Sequence, residues 1–206
     1  MFISGTIIDA AGRTLSGQNV EAFCISMSNA KPFCIGLNCA LGATQMQPFL
    51  QRLSKIAKTY VHAYPNAGLP NAMGGYDETP ENFAVNLRKF ADEGLVNMIG
   101  GCCGTTPDYI AALSKQVQGV ERRQIQPAQT GGYVPMMLSG MTEFIFTENI
   151  PFINVGERCN ISGSLAFKKL IKNGEFDKAV SVAKAQVENG AQVLDFNLDD
   201  GLIDGV

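Results

Sequence analysis

The stretch VNMIGGCCGTTPDYI, residues 96–110, passes from an apolar run through a glycine-rich turn into a helical pattern. Its first four residues predict a buried strand. Thr106 followed by Pro107 is a typical helix start, with threonine as the N-cap and proline at the first helical position. A strand, a short turn and a helix make one βα unit, so this stretch predicts a parallel α/β fold.

The same order of elements recurs along the first half of the chain, with a spacing of about 30 residues. The predicted strands are residues 1–4, 33–38, 60–64 and 96–100, and the predicted helices are residues 16–28, 44–58, 79–93 and 105–117. Glycine-rich polar segments follow each strand. Functional residues of α/β barrels collect at those carboxyl ends, so we expect the chemistry there.

The pattern changes after residue 118 and resumes later. Residues 119–150 are too irregular for a βα repeat, and we interpret them as a linker with some ordered contacts. In residues 151–206 we predict strands at 152–156 and 193–197 and helices at 164–173 and 177–188. The predicted organisation is therefore a domain at 1–118, a linker at 119–150 and the start of a second domain at 151–206.

Composition limits the classes of partner and compartment. The 206 residues are 46% hydrophobic, enough for a real core, and their net charge of −3 does not suggest a nucleic-acid or anionic-membrane partner. No apolar stretch approaches the roughly 18 to 20 residues that span a bilayer. Six irregularly spaced cysteines without a secretory signal favour a reducing compartment. We expect a soluble, cytoplasmic protein.

The adjacent pair Cys102 and Cys103 is hard to explain as a disulfide, because neighbouring Cα atoms are only about 3.8 Å apart. The flanking glycines allow an irregular strand end at which both thiolates converge on one ion. A third thiol, Cys39, also stands where an apolar run stops. Three thiolates suit Zn²⁺ and leave one position open, as in catalytic zinc sites. The residues alone leave open the alternative that Cys39 is an ordinary buried cysteine and the pair a coincidence.

Four segments carry a resemblance to known enzymes. GLNCALG (residues 36–42), followed by VNMIGGCCGTTPDYI, resembles the zinc-dependent homocysteine S-methyltransferases. PFINVGERCNISGS (151–164) and NGAQVLDFNLDDGLIDG (189–205) resemble the opening of the pterin-binding module in the cobalamin-dependent methionine synthase family. The resemblance covers essentially the whole chain. It implies an interior piece of a longer enzyme: the second half of a (β/α)8 TIM-type barrel, a linker, and the first βα units of a second (β/α)8 barrel.

The resemblance also implies an activity. The full enzyme would transfer a methyl group from 5-methyltetrahydrofolate via cobalamin to zinc-activated homocysteine, forming methionine and tetrahydrofolate. Methylcobalamin would be bound by a module absent from this chain, so we expect the chain to be inactive without the other modules. Two alternatives are a zinc-dependent homocysteine S-methyltransferase with another methyl donor and a non-catalytic partial fragment. The second module argues against the former.

The resemblance assigns the zinc ligands as Cys39, Cys102 and Cys103. We expect no catalytic group beyond this zinc site, because coordination deprotonates the substrate thiol outright. Asn38 precedes a ligand, and its amide could either orient the amino-acid end of homocysteine or cap a loop. The single histidine, His62, is interpreted as structural.

Polar residues at the ends of the two later strands are candidates for folate binding. Glu157 and Asn160 follow one strand, and Asp195 and Asn197 end the next, where residues two apart share a face. Carboxylates and carboxamides match the donors and acceptors of a pterin ring. Asn160 could instead be a helix cap.

Three further features of the sequence are interpreted without a functional role. Asp199, Asp200 and Asp204 are expected to form a solvated acidic loop. Cys24 and Cys34 are expected to be packing residues, and Cys159 remains ambiguous.

Overall fold

The computed structural model describes residues 1–125 and 134–201. The chain forms two compact units, Met1–Phe146 and Thr147–Val206. Residues 126–133 of the expected linker, and Asp204 of the expected acidic loop, lie outside the described residues. Both units are mixed α/β structures with parallel strands, in agreement with the predicted fold class.

The first unit is built on a four-stranded parallel sheet in the order β1-β2-β3-β4, which is also the chain order. Its strands and helices alternate as β1 (Phe2–Gly5), α1 (Val20–Ser28), β2 (Cys34–Gly42), α2 (Ala43–Ile56), β3 (Tyr60–Asn66), α3 (Pro80–Asp92), β4 (Met98–Ile99) and α4 (Pro107–Gln116). The four predicted βα units are confirmed. Strands β1 and β4 are the two edges of this sheet.

The helix starts follow the sequence signals. Thr79 is the N-cap of α3, and its hydroxyl accepts the Asn82 N–H at 3.3 Å, with Pro80 in the first turn. Thr106 is the extended N-cap residue of α4, followed by Pro107, but its hydroxyl makes no capping hydrogen bond. Proline suits this position because its fixed φ is helical and its missing N–H would have had no helical partner.

One face of the sheet packs against the helices. Ile35 and Leu37 of β2 and Val61 and Ala63 of β3 are at most 1% exposed and belong to the same core as the helices' apolar residues. The helix residues of that core include Leu50, Leu53, Phe83, Leu87 and Phe90. Alternation along each strand sends the intervening residues to the opposite face.

That opposite face holds His62. Its ring stacks on Tyr64 with centroids 4.7 Å apart, and its Nδ1 lies 3.2 Å from the Cys34 thiol. Burial lowers the pKa of His62 to about 4, so the imidazole is neutral. Gly36 stands opposite His62 in the register, and a Cβ there would lie 2.1 Å from the His62 carbonyl oxygen. His62 therefore fills space that only a glycine leaves free.

A hairpin lies in the segment expected to be a linker. Strands β5 (Met137–Ser139) and β6 (Glu143–Ile145) pair antiparallel. Asn19, the N-cap of α1, donates its backbone N–H to the Met141 carbonyl at 2.9 Å and its side-chain amide to Glu143 at 2.6 Å. The hairpin is thus attached to the first unit at the start of α1.

The second unit contains β7 (Val155–Asn160), α5 (Leu165–Lys172), α6 (Phe176–Glu188) and β8 (Val193–Asn197). The two strands pair in parallel. A small core of Cys159, Ile161, Phe167, Ala179 and Ala183 lies between them and the helices. Strand β8 has the predicted bounds, whereas β7 begins three residues later than predicted.

Across residues 1–125 and 134–201, no helix is both long enough and apolar enough to cross a bilayer.

Arg123, just beyond α4, ties the expected linker to the sheet. It is 5% exposed, and its guanidinium donates to the carbonyl oxygens of Thr59, Ser54 and Ala57 at 2.7–2.9 Å. The Arg123 carbonyl in turn accepts the Asn97 side-chain amide at 2.7 Å. A charged donor therefore satisfies buried carbonyls between the end of α2 and the start of β3.

Replacing Arg123 should destabilise the first unit. Arg123→Met leaves these carbonyls without their donor, and we expect a loss of about 2–4 kcal/mol in the free energy of unfolding. The exposed neighbour provides a matched control, since Arg122→Met should change it by less than about 0.5 kcal/mol. Urea denaturation followed by tyrosine fluorescence reports on this unit, because all five tyrosines lie between residues 60 and 133. Equal effects of the two variants would contradict the role assigned to Arg123.

Candidate metal centre

Three thiols meet at the carboxyl edge of the parallel sheet. Cys39 lies near the end of β2, and Cys102 and Cys103 follow β4. Their sulfur atoms all lie within 4.8 Å of one another. The Sγ of Cys103 is 3.4 Å from that of Cys39 and 3.9 Å from that of Cys102. The structure thus brings together the three cysteines that the sequence singled out.

The end of β2 is irregular at Cys39. Asn38 pairs with Tyr64 and Gly42 with Asn66, so β2 advances four residues while β3 advances two. Cys39 and Ala40 have φ of 60° and 58° in the left-handed region, which is uncommon for residues other than glycine. Such conformations cost about 1–2 kcal/mol each and persist where the surroundings enforce them. The irregularity turns the Cys39 side chain out of the regular alternation.

The loop after β4 is fixed by the end of β3. The Cys102 N–H donates to the Pro65 carbonyl at 2.9 Å, and the Cys103 N–H donates to the Asn66 side-chain oxygen at 3.1 Å. The Cys103 carbonyl accepts the Ala67 N–H at 2.9 Å. Three consecutive residues of β3 and its exit therefore hold the cysteine pair in place.

Sequence reasoning missed Asn66 and Tyr76. Asn66 is 2% exposed and contacts both sides of the cluster, through the Cys103 N–H and the Cys39 thiol. The sequence held a signal for Asn66, because it is a polar residue just after the predicted strand 60–64, where functional residues of α/β barrels collect. The Tyr76 ring lies against Gly104, where a Cβ would be 2.5 Å from the ring. Tyr76 comes from a long loop, and its position could not be read from spacing.

The three thiols have different tendencies to ionise. Burial opposes ionisation of Cys39, but hydrogen bonds from the Ala40 N–H and from the side chains of Cys103, Cys102 and Asn66 hold its pKa below the ordinary value. Burial, with hydrogen bonds and charge from the other two thiols, raises the pKa of Cys102 to about 11. One sulfur is therefore ready to be a thiolate ligand while another retains its proton.

The cluster fits a tetrahedral zinc ion. Zn–S distances of about 2.3 Å at tetrahedral angles place sulfur atoms about 3.8 Å apart. The observed separations of 3.4 and 3.9 Å lie on either side of this value. Three soft donors on a partly exposed sheet edge leave room for a fourth ligand.

Asn38 is placed in the sheet beside this cluster. Its side-chain oxygen accepts the Ser4 hydroxyl at 2.5 Å, which links β2 to β1. Cys24 and Cys34 are buried, and burial raises the pKa of each to about 11. Both are packing residues, as expected.

In the second unit, the expectation that Glu157 and Asn160 follow a strand is wrong, because β7 extends to Asn160 and contains both. Asp195 and Asn197 lie in β8, which ends at Asn197, as predicted. Asn160 donates to the Glu157 carboxylate at 2.6 Å and accepts the backbone N–H groups of Ser162 and Gly163 at 2.8 and 3.1 Å. It is therefore both a turn cap and a partner of Glu157. Cys159, which the sequence left ambiguous, is fully buried in the small core.

On β8, Asp195 is exposed, and Asn197 accepts the Asp199 N–H at 2.9 Å. Leu194 packs towards the helices, so alternation places Asp195 and Asn197 on the other face of the strand. The expectation of a solvated acidic loop is wrong for Asp200. Its side chain is 13% exposed and forms an ion pair with Lys168, because the loop folds back over α5.

The fold and the cluster define a class: a parallel α/β protein with three thiols, suited to hold a metal ion, at the carboxyl edge of its sheet. Residues 1–117, more than half of the chain, match the family model for homocysteine S-methyltransferase. The chain belongs to this family. Residues 156–205 match the model for pterin binding enzymes. The two occur in one chain as in methionine synthase, and they indicate an enzyme whose methyl transfer involves homocysteine and a pterin.

The pKa differences predict the order in which iodoacetamide modifies the metal-free protein. Because its pKa is lowered, Cys39 should be alkylated with a pH midpoint below that of an ordinary cysteine. Cys102, with a pKa of about 11, should react only at much higher pH. Peptide mapping by mass spectrometry as a function of pH measures both, with the buried Cys34 as a slow reference. A shared midpoint for Cys39 and Cys102 would contradict this assignment.

Proposed function

We propose that this chain carries the zinc-binding part of the homocysteine site and the opening part of the methyltetrahydrofolate site of a cobalamin-dependent methionine synthase. The observation that carries the proposal is the three-thiol cluster on the first unit, followed in the chain by a pterin-binding match. The reaction would move a methyl group from 5-methyltetrahydrofolate via cobalamin to homocysteine, with methionine and tetrahydrofolate as products.

The zinc ligands would be Cys39, Cys102 and Cys103. Bound Zn²⁺ would supply a deprotonated, nucleophilic homocysteine sulfur at neutral pH, where a free thiol with a pKa of about 8.5 is mostly protonated. The chain's own residues would position the ligand cysteines and the substrate. Asn66 fixes the Cys103 backbone through a hydrogen bond, and Asn38 would orient the amino-acid end of homocysteine from the neighbouring strand.

The architecture proposed for the first unit is the second half of a (β/α)8 barrel. Its support is the strict chain-order parallel sheet, with helices packed on one face and open edges at β1 and β4. A barrel of eight parallel strands closes by pairing such edges. The second unit would be the first βα units of another barrel, and residues 119–150 would connect the two.

The folate contacts would come from Glu157, Asn160, Asp195 and Asn197. Two carboxylates and two carboxamides on one face can serve as hydrogen-bond partners for the donors and acceptors of a pterin ring. Asp195 is exposed, which leaves its carboxylate available to a ligand.

Cobalamin would be held by a module outside this sequence, and other modules of the enzyme would be its partners. The second candidate is a zinc-dependent homocysteine S-methyltransferase with another methyl donor. The pterin-binding match over residues 156–205 favours the first candidate, since an enzyme with a different donor needs no pterin site.

Zinc binding tests the first half of the proposal. The 206-residue chain should bind one equivalent of zinc, and Cys102→Ala combined with Cys103→Ala should abolish that binding, because one thiolate cannot hold the ion. Cys24→Ala is the matched control, a buried cysteine outside the cluster. Metal content after dialysis is the measurement.

X-ray absorption then decides whether the metal activates substrate. Adding homocysteine should add one sulfur to the zinc coordination shell. Unchanged coordination would make the metal structural, and full zinc content in the double variant would overturn the ligand assignment.

Tetrahydrofolate binding tests the second half. Asp195→Asn removes a charge from an exposed side chain without altering its size, and we expect about tenfold weaker binding by isothermal titration calorimetry. Asn160→Ala should weaken binding further, because it also frees Glu157 and the turn. Glu188→Gln, exposed at the end of α6, is the control. Equal affinities for Asp195→Asn and the control would show that the Asp195 carboxylate does not contact tetrahydrofolate.

A further inference from the structure

Strand β7 contains an irregularity at Glu157 and Arg158. Gly156 pairs with Leu194 and Cys159 with Phe196, so two residues of β7 stand opposite the single residue Asp195 of β8. Two residues opposite one define a β-bulge, in which one strand carries one extra residue.

The bulge changes which side chains share a face. In a regular strand, residues three apart point to opposite faces. Here Glu157 and Asn160 are in contact, with 2.6 Å between the Asn160 amide nitrogen and the Glu157 carboxylate. Gly156 and Cys159, also three apart, both face the helices: Cys159 is in the core, and Gly156 lies against α6. Without the bulge, Glu157 and Asn160 could not act on one ligand.

A single side chain from α6 holds the bulge. Gln186 accepts the Arg158 N–H through its Oε1 at 2.8 Å and donates through its Nε2 to the Cys159 sulfur at 3.2 Å. A bulge leaves its extra residue outside the strand ladder, and Oε1 satisfies the N–H of Arg158. Gln186 reaches this position because Gly156 has no side chain, since a Cβ there would lie 2.8 Å from Oε1.

We propose that Gln186 is a positioning residue for the pterin site. It acts from the helix side of β7 and fixes the bulge that aims Glu157 and Asn160 at the face shared with Asp195 and Asn197. This inference rests on the proposed folate function of that face. Gln186 itself does not touch the ligand.

The chemistry of the amide explains why glutamine suits this position. The contact that fixes the bulge is the one in which the side chain accepts the Arg158 N–H. The amide nitrogen adds weaker contacts, to the Cys159 sulfur at 3.2 Å and to the Val182 carbonyl of its own helix at 3.4 Å. Glutamate would keep the acceptor and lose the donor, while methionine would have a similar length and neither strong group. Comparing the two replacements therefore distinguishes the effect of losing the hydrogen-bond acceptor from the effect of a change in packing.

The test uses the 206-residue chain in three variants, Gln186→Met, Gln186→Glu and, as a control on the exposed side of the same helix, Val187→Met. Hydrogen exchange of the Arg158 N–H and the side-chain amide resonances of Asn160, both by NMR, report the bulge without any ligand. Tetrahydrofolate affinity by calorimetry reports its consequence.

We expect Gln186→Met to speed Arg158 exchange about tenfold, to shift the Asn160 amide resonances towards those of a free carboxamide, and to weaken tetrahydrofolate binding about tenfold. Gln186→Glu should rescue, with exchange and affinity within about twofold of the parent chain, because its carboxylate still accepts the Arg158 N–H. The control should change none of the three.

Unchanged Arg158 exchange and Asn160 resonances in Gln186→Met would overturn the proposal, as would equal losses in Gln186→Met and Gln186→Glu. If Gln186→Met does not fold, Gln186→Asn takes its place, because its amide is one methylene too short to reach Arg158. A parent chain that binds no tetrahydrofolate would refute the folate function instead, and the two NMR measurements would still decide whether Gln186 positions Glu157 and Asn160.

Discussion

The chain at the carboxyl end of β3 is the constraint on which the geometry of the three-thiol cluster depends. Asn66 pairs with Gly42 on one side, which sets the irregular exit of β2 and the orientation of Cys39. On the other side, Pro65, Asn66 and Ala67 bond to the Cys102–Cys103 backbone. A short piece of extended chain thus fixes three sulfur atoms that come from two distant parts of the sequence. Parallel strands make this possible because their carboxyl ends meet at one edge.

In both units an irregular strand brings the candidate site residues together. A regular strand alternates its side chains between two faces, so it cannot aim neighbouring or odd-spaced residues at one point. In β2 the irregularity puts Cys39 beside the cysteines that follow β4, and in β7 it puts Glu157 beside Asn160. In each case a side-chain amide contacts the irregular segment: Asn66 contacts the Cys39 thiol, and Gln186 accepts the Arg158 N–H. The candidate site residues occur where the regular pattern is interrupted.

This explains which parts of the molecule could be predicted from the sequence. Helix starts at Thr79 and Thr106 depend on local chemistry, and strand β8 is an apolar run with clear limits, so both were predicted correctly. The cysteine cluster was predictable because its residue types are unusual. Asn66, Gln186 and the β5–β6 hairpin act through contacts with residues distant in sequence. The sequence predicts that Gln186 lies on a helix, but it does not show that its side chain accepts the Arg158 N–H.

The pairing of Gly36 with His62 has a consequence for how the sequence can vary. A side chain at position 36 would meet the His62 ring at 2.4 Å and also the His62 carbonyl oxygen at 2.1 Å. Shrinking residue 62 removes the first conflict and leaves the second, because the carbonyl belongs to every residue. A compensating substitution at 62 therefore cannot make room for a side chain at 36. The spacing of two backbones thus restricts position 36 to glycine, whichever residue occupies position 62.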